Sequence, residues 1–151
     1  MTIDIQVTQN QQDLPISTTS VQALVAGFIH HAAVKYDEVS IHFVDTATIC
    51  QLHGDYFDDP TTTDCITFPM DDDEEEGYRV MGDVFVCPAT AQNYVNEHGG
   101  NVYHEATLYV IHGLLHLLGY DDIDEADQQA MRAAEQHYLA YVEANRLWLH
   151  A

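Results

Sequence analysis

Lysine and arginine are scarce in this chain. Lys35, Arg79, Arg132 and Arg146 stand against 25 Asp and Glu in 151 residues, a formal net charge of -21 and a pI near 4.3. So few cations exclude a surface that wraps nucleic acid by phosphate neutralisation alone, and the acid excess argues against an anionic membrane as partner. The chain also lacks an apolar run of the roughly 18 residues that would span a bilayer. Its N-terminus, MTIDIQVTQNQQ, has neither a basic leader nor an apolar stretch behind it, so a cytoplasmic protein is expected. Cysteine is scarce and odd in number. Cys50, Cys65 and Cys87 are too widely spaced for a disulfide framework or a Cys-x-x-Cys zinc knuckle, which leaves free thiols that behave as small hydrophobes. No repeat and no Pro- or Ser-rich linker divides the chain. Its 46% hydrophobic content is enough for one core, so residues 1–151 read as a single domain.

Hydrophobic periodicity predicts the elements. Residues 2–8 alternate apolar and polar as a half-buried strand does, and a helix capped in the Ser/Thr cluster 17–20 carries Val21, Leu24, Val25, Phe28 and Ile29 to about Tyr36. A strand follows at Val39, Ile41 and Phe43, then a short helix capped by Asp45 that ends before Gly54. Residues 64–68 and 80–87 read as strands, separated by the acidic run 71–76, which is expected to be a solvated loop. Pro88 opens a helix that stops at Gly99-Gly100. The next helix, from about Val102 to Leu118, is apolar on nearly every side in its second half, the pattern of a helix buried inside a domain. A last helix is expected from Asp124 to Leu149. The order β-α-β-α-β-β-α-α-α predicts an α/β or α+β fold in which a small mixed four-stranded sheet packs against helices.

Chemistry concentrates in His112-Gly-Leu-Leu-His116-Leu-Leu-Gly119-Tyr-Asp121-Asp122. Two imidazoles four apart on a helix share a face, with Cβ atoms about 5–6 Å apart, and can clamp one metal ion. Gly119 permits the left-handed turn that would return Asp121 or Asp122 towards them as a third ligand. Two histidines and a carboxylate form a known catalytic zinc set, whose fourth position holds water with a pKa lowered towards about 7. Unliganded rings on so apolar a helix would need other partners for their nitrogens. Gly113 occupies the position where the zinc peptidase signature His-Glu-x-x-His carries its general base, which argues against ordinary peptide hydrolysis. A glycine inside a helix also costs roughly 1 kcal/mol relative to alanine, so a close approach by a backbone or a substrate is expected there. Glu105 and Tyr109 share the histidine stripe. Glu105 is a candidate to stand behind the metal, but an exposed acid of the kind the helix dipole favours near a helix start is the more expected reading.

These residues resemble the YbeY family of bacterial endoribonucleases, which act in ribosomal RNA maturation and ribosome quality control. The family hallmark HGxLHLxGYDH stands here as HGLLHLLGYDD at 112–122. Thr63-Asp64-Cys65-Ile66-Thr67-Phe68-Pro69 is similar to its TDVLSFP strand, Gly82-Asp83-Val84-Phe85-Val86 to its GDI-type strand, and Glu105 precedes the histidine helix as it usually does there. The resemblance spans roughly residues 39–135 and implies an α/β domain with a small mixed sheet. It implies one metal per chain on His112, His116 and Asp122, with Asp122 in place of a third histidine. Zinc is the implied metal, and the aspartate favours harder ions such as manganese as alternatives. Thr63, Asp64 and Asp83 become candidates, with Glu105, for groups behind the metal or along a substrate groove. Phe57 stands where the family commonly carries an arginine, in the acidic segment Asp55–Asp59.

The resemblance thus implies a single-strand-specific, metal-dependent endoribonuclease acting on ribosomal RNA, including the 16S 3′ end, within the ribosome or its precursors. The alternatives are a ribosome-assembly module that keeps the metal as a structural clip, and a metallohydrolase of another substrate. With four cations in the whole chain, RNA contact should depend on docking to a ribosomal protein or assembly factor. The isolated protein is therefore predicted to bind structured ribosomal RNA weakly, with a shallow salt dependence. Tight binding at physiological salt in a filter or anisotropy assay would refute this.

Overall fold

The computed structural model describes residues 3–58, 63–71 and 76–151. Four strands, β1 (Asp4–Asn10), β2 (Glu38–Val44), β3 (Cys65–Pro69) and β4 (Val80–Val86), form one sheet in the order β1-β2-β4-β3. β1 and β4 flank β2 in parallel, and β3 pairs antiparallel with β4 at the edge, so the sheet is mixed as predicted. The described helices are α1 (Thr18–Ala32), α2 (Thr46–Phe57), α3 (Pro88–His98), α4 (Val102–Leu117) and α5 (Glu125–Asn145). Of the acidic run, Asp72–Glu75 lies outside the described residues.

Each helix begins for a local reason. Ser17, Asp45, Asn101 and Asp124 accept backbone N–H bonds from the first turns of α1, α2, α4 and α5, and Pro88 opens α3. The Thr48 bonds to the Asp45 side chain also hold that carboxyl below its ordinary pKa.

Three ends differ from the sequence expectation. α1 stops at Ala32, because Ala33 adopts a left-handed conformation and returns its N–H to the His30 carbonyl. α2 continues through Gly54 to Phe57. α5 ends at Asn145 with Arg146 left-handed, so Trp148 and Leu149 do not belong to its stripe. An extended return carries them instead. Leu149 is buried and its N–H donates to Thr107 Oγ1 on α4, the Ser17 N–H donates to the His150 carbonyl, and the Trp148 ring stacks on His104 with centroids 3.8 Å apart.

One face of the sheet buries Val39, Ile41, Phe43, Val84 and Val86 against α1, α4 and α5, while α2 covers a smaller cluster of Val44, Ile49, Ile66 and Cys87 on the other. α4 lies centrally, touching β3, β4, α3 and α5. That position requires Gly113. A Cβ there would meet Val84 Cγ1 at 2.5 Å and Cys65 Sγ at 2.8 Å, so the close approach expected at this glycine is made by the sheet. The cysteines are free, and burial with the nearby Asp64 charge pushes the Cys65 thiol well above its ordinary pKa.

Gly113→Ala tests this fit. Helix propensity would gain about 1 kcal/mol, but overpacking against stiff, branched Val84 costs about 1–3 kcal/mol. A lowered melting temperature is expected, and an unchanged or raised one would show that the sheet yields.

Candidate metal centre

The last turn of α4 aims both histidines at one point and then turns the chain back on itself. Gly119 has φ +103°, its N–H donates to the His116 carbonyl, and the Tyr120 N–H donates to the Leu115 carbonyl, the paired closure that a left-handed residue makes possible. Asp122 consequently faces the two rings. His112 Nε2 lies 3.0 Å from His116 Nε2, and Asp122 Oδ2 lies 3.6 Å and 3.8 Å from those nitrogens. These three residues form a group able to hold a metal ion. Tetrahedral bonds of about 2.0–2.1 Å place neighbouring donors roughly 3.3–3.4 Å apart, so the three separations bracket a single cation's requirement. Asp121 is not part of the group. It lines the neighbouring cleft.

A residue absent from the sequence expectation sets the chemistry of His112. Glu135 of α5 accepts a 2.6 Å hydrogen bond from His112 Nδ1, and both side chains are largely buried. A carboxylate can only accept, so Nδ1 carries the proton and Nε2 presents its lone pair towards His116 and Asp122, the tautomer a metal requires. Burial disfavours the imidazolium, but the Glu135 bond and charge, with Asp64 and Asp122 beyond, outweigh it and raise the His112 pKa above the ordinary histidine value. Glu135 was detectable in principle, because it interrupts the apolar stripe of Met131, Ala134, Tyr138 and Val142.

The remaining candidates divide. Asp64, at the entry to β3, is close enough for its charge to act on His112, Glu105 and Tyr109. Glu105 and Tyr109 hydrogen-bond each other. Burial raises the Glu105 pKa, a rise the Tyr109 bond partly offsets, and burial together with the Glu105 charge holds the Tyr109 phenol well above its ordinary value. Thr63 contacts Asp64, its hydroxyl donating to Asp64 Oδ1 at 3.5 Å, and its carbonyl accepts from Thr90 Oγ1 at 3.2 Å. Asp83 does not join this group. Alternation along β4 turns Val84 towards Gly113 and Asp83 to the opposite face, where it pairs with His42 Nε2 at 2.9 Å while His42 Nδ1 contacts Thr8 Oγ1 at 2.6 Å.

A cleft of about 440 Å³ opens beside His116, bounded by His53, Phe57, Cys65, Ile66, Thr67, Pro69, Gly119, Tyr120 and Asp121. Phe57 is 52% exposed and Tyr120 is 40% exposed, so aromatic faces border it. A smaller groove of about 200 Å³ lies on the His112 side, lined by Asp122, Gln128, Met131, Arg132 and Glu135.

Fold and cluster together define a class: α/β domains that present two histidines and a carboxylate at the end of a buried helix. Within that class, the chain belongs to the endoribonuclease YbeY family, whose model matches residues 6–143. It is 46% identical to the endoribonuclease YbeY of Protochlamydia amoebophila over 149 residues, covering 99% of both chains. With that of Chlamydia muridarum it shares 38% identity over 146 residues, covering 95% of this chain and 91% of the relative. The solution structure of TM1509 from Thermotoga maritima has the same fold, with a TM-score of 0.64 at 21% identity over 93% of this chain and 90% of that one. Among the described residues, no helix is long and apolar enough to cross a membrane.

Replacing Glu135 by Gln should lower the pH at which His112 titrates in metal-free protein, read by NMR of its ring protons. A raised folded-state pKa contributes stability that is fully present below the unfolded value near 6.5 and fades as pH rises through the folded value. The loss of melting temperature in Glu135→Gln should therefore be greater near pH 6 than near pH 9, and a pH-independent loss would count against the pairing.

Proposed function

We propose that the chain is a metal-dependent endoribonuclease, a single domain over residues 1–151 that acts on single-stranded ribosomal RNA in the cytoplasm, including the 16S 3′ end. The observation that carries the reading is the convergence of His112 Nε2, His116 Nε2 and Asp122 Oδ2 at the mouth of an aromatic-bordered cleft. Membership of an endoribonuclease family supports the reaction type. Zinc suits two imidazoles and one carboxylate, and manganese is the alternative that the carboxylate favours. Bound there, the ion supplies Lewis acidity towards a phosphodiester oxygen and towards water.

The protein's own groups do the rest. Glu135 fixes the His112 tautomer and, through its charge, strengthens the ring as a donor. Asp122 contributes negative charge that draws the cation in. Phe57 and Tyr120 offer faces on which an unpaired base can stack, and a cleft of about 440 Å³ has room for a nucleotide but not for a duplex. Asp64 adds negative charge that reaches His112, and Thr63 and Glu105 stand as the groups behind it. The surface is too acidic to gather RNA unaided, so a ribosomal protein or assembly factor is the expected docking partner.

Purified protein should cleave precursor ribosomal RNA when zinc or manganese is supplied, and lose that activity with chelator or in His116→Ala, while the fold persists in both. Metal affinity should weaken as pH falls through the raised His112 value, by up to about tenfold per unit, because the ion must displace that proton. Stoichiometric metal without cleavage, together with a large fall in melting temperature on chelation, would favour a structural metal in an assembly module instead.

A further inference from the structure

The four cations of the chain are unevenly placed. Lys35 and Arg79 line a separate cavity with Ile3, Ile29 and Tyr36. Arg146 caps the C-terminus of α5, about 21 Å along that helix from position 132 at 1.5 Å per residue. Arg132 alone borders the donor cluster. It lines the groove of about 200 Å³ together with His112, Asp122, Gln128, Met131 and Glu135.

Its surroundings make Arg132 unusual. Glu135, one turn along α5, is the nearest carboxylate in sequence, yet its Oε2 is engaged by His112 Nδ1. Asp122 is turned towards the two ring nitrogens. Among the described residues Arg132 is exposed and enters no ion pair, in a protein that outnumbers its basic groups by 25 acids to four. A guanidinium that pairs with none of these carboxylates, beside a cation-holding cluster, has its planar fork open to an external anion.

We infer that Arg132 is a phosphate-binding residue, and that a single RNA strand crosses the donor cluster with a base in the aromatic cleft on the His116 side and a backbone phosphate on Arg132 on the His112 side. The inference rests on the endoribonuclease reading. The two cavities differ in the way the strand demands: one is larger and bordered by Phe57, Ile66, Pro69 and Tyr120, the other small and lined chiefly by polar and charged groups. Without Arg132, a phosphate entering the groove would meet only Asp122 and Glu135 as charged protein groups. One positive contact therefore decides whether the strand is admitted on that side, and sets the direction in which it lies across α4.

The test uses full-length protein and a short, unstructured, fluorescein-labelled RNA strand, with binding followed by anisotropy in chelator and cleavage followed separately with metal. For a single strand, each neutralised phosphate contributes about 0.7 to the slope of log affinity against log salt. Arg132→Gln should weaken binding roughly 5- to 10-fold near 50 mM salt and make the slope shallower by about 0.7, with its melting temperature unchanged. Arg132→Lys should keep the slope while losing part of the affinity, because it keeps the charge but not the fork. If wild type binds and Arg132→Gln matches it in affinity and slope, or if wild type binds nothing at any salt, the phosphate contact is overturned. The cleavage arm judges the other reading: Arg132-dependent binding without cleavage under any metal retains the contact and sinks the nuclease, whereas cleavage unaffected by Arg132 does the reverse.

Discussion

The contact between α4 and the sheet at Gly113 governs the rest of the molecule. A buried helix can settle this deeply on β3 and β4 only because position 113 has no side chain, and Val84 and Cys65 occupy the space a Cβ would need. With that face pressed on the sheet, the histidine stripe turns outwards along one edge. α5 then packs against α4 and brings Glu135 to His112. A single glycine thus sets both the depth of the helix and the direction its donors face. The helix-propensity cost of about 1 kcal/mol is small beside the burial of Ile111, Leu114 and Leu115 that it permits.

Charge works in two opposed ways. Asp64, Asp122 and Glu135 surround two imidazoles with negative potential, which favours a divalent cation and raises the His112 pKa. The same sign repels a phosphate backbone. A centre of this kind becomes more hospitable to RNA as its cation is bound, so the protein couples substrate affinity to metal occupancy more tightly than a basic nuclease would.

Much of this was legible in the sequence, because periodicity and capping are local. The alternation of Val39, Ile41 and Phe43, the apolar surround of His112 and His116, and the turn at Gly119 depend on positions a few residues apart. Helix ends were less legible. Ala33 and Arg146 adopt left-handed backbone without the glycine that ordinarily announces it, and Gly54, which resembles a stop, lies inside α2. Asp83 looked like a groove residue by its neighbours in sequence, but strand alternation sends it to the other face of the sheet. Glu135 left only a local trace, an acid interrupting the apolar stripe of α5, and its pairing with His112 across 23 residues required the packing of α5 on α4.

The extended return after α5 has a consequence for how the centre comes into being. His112, His116 and Asp122 lie within a short stretch of chain, but Glu135 stands on a helix anchored beyond its own end, where Leu149 enters the core through Thr107 and the His150 carbonyl meets Ser17 at the start of α1. During synthesis, therefore, the donors emerge first and their orienting carboxylate is secured last. A partly made chain would expose imidazoles not yet committed to one tautomer, and the centre acquires its settled protonation only when the segment after α5 has folded back onto α1 and α4.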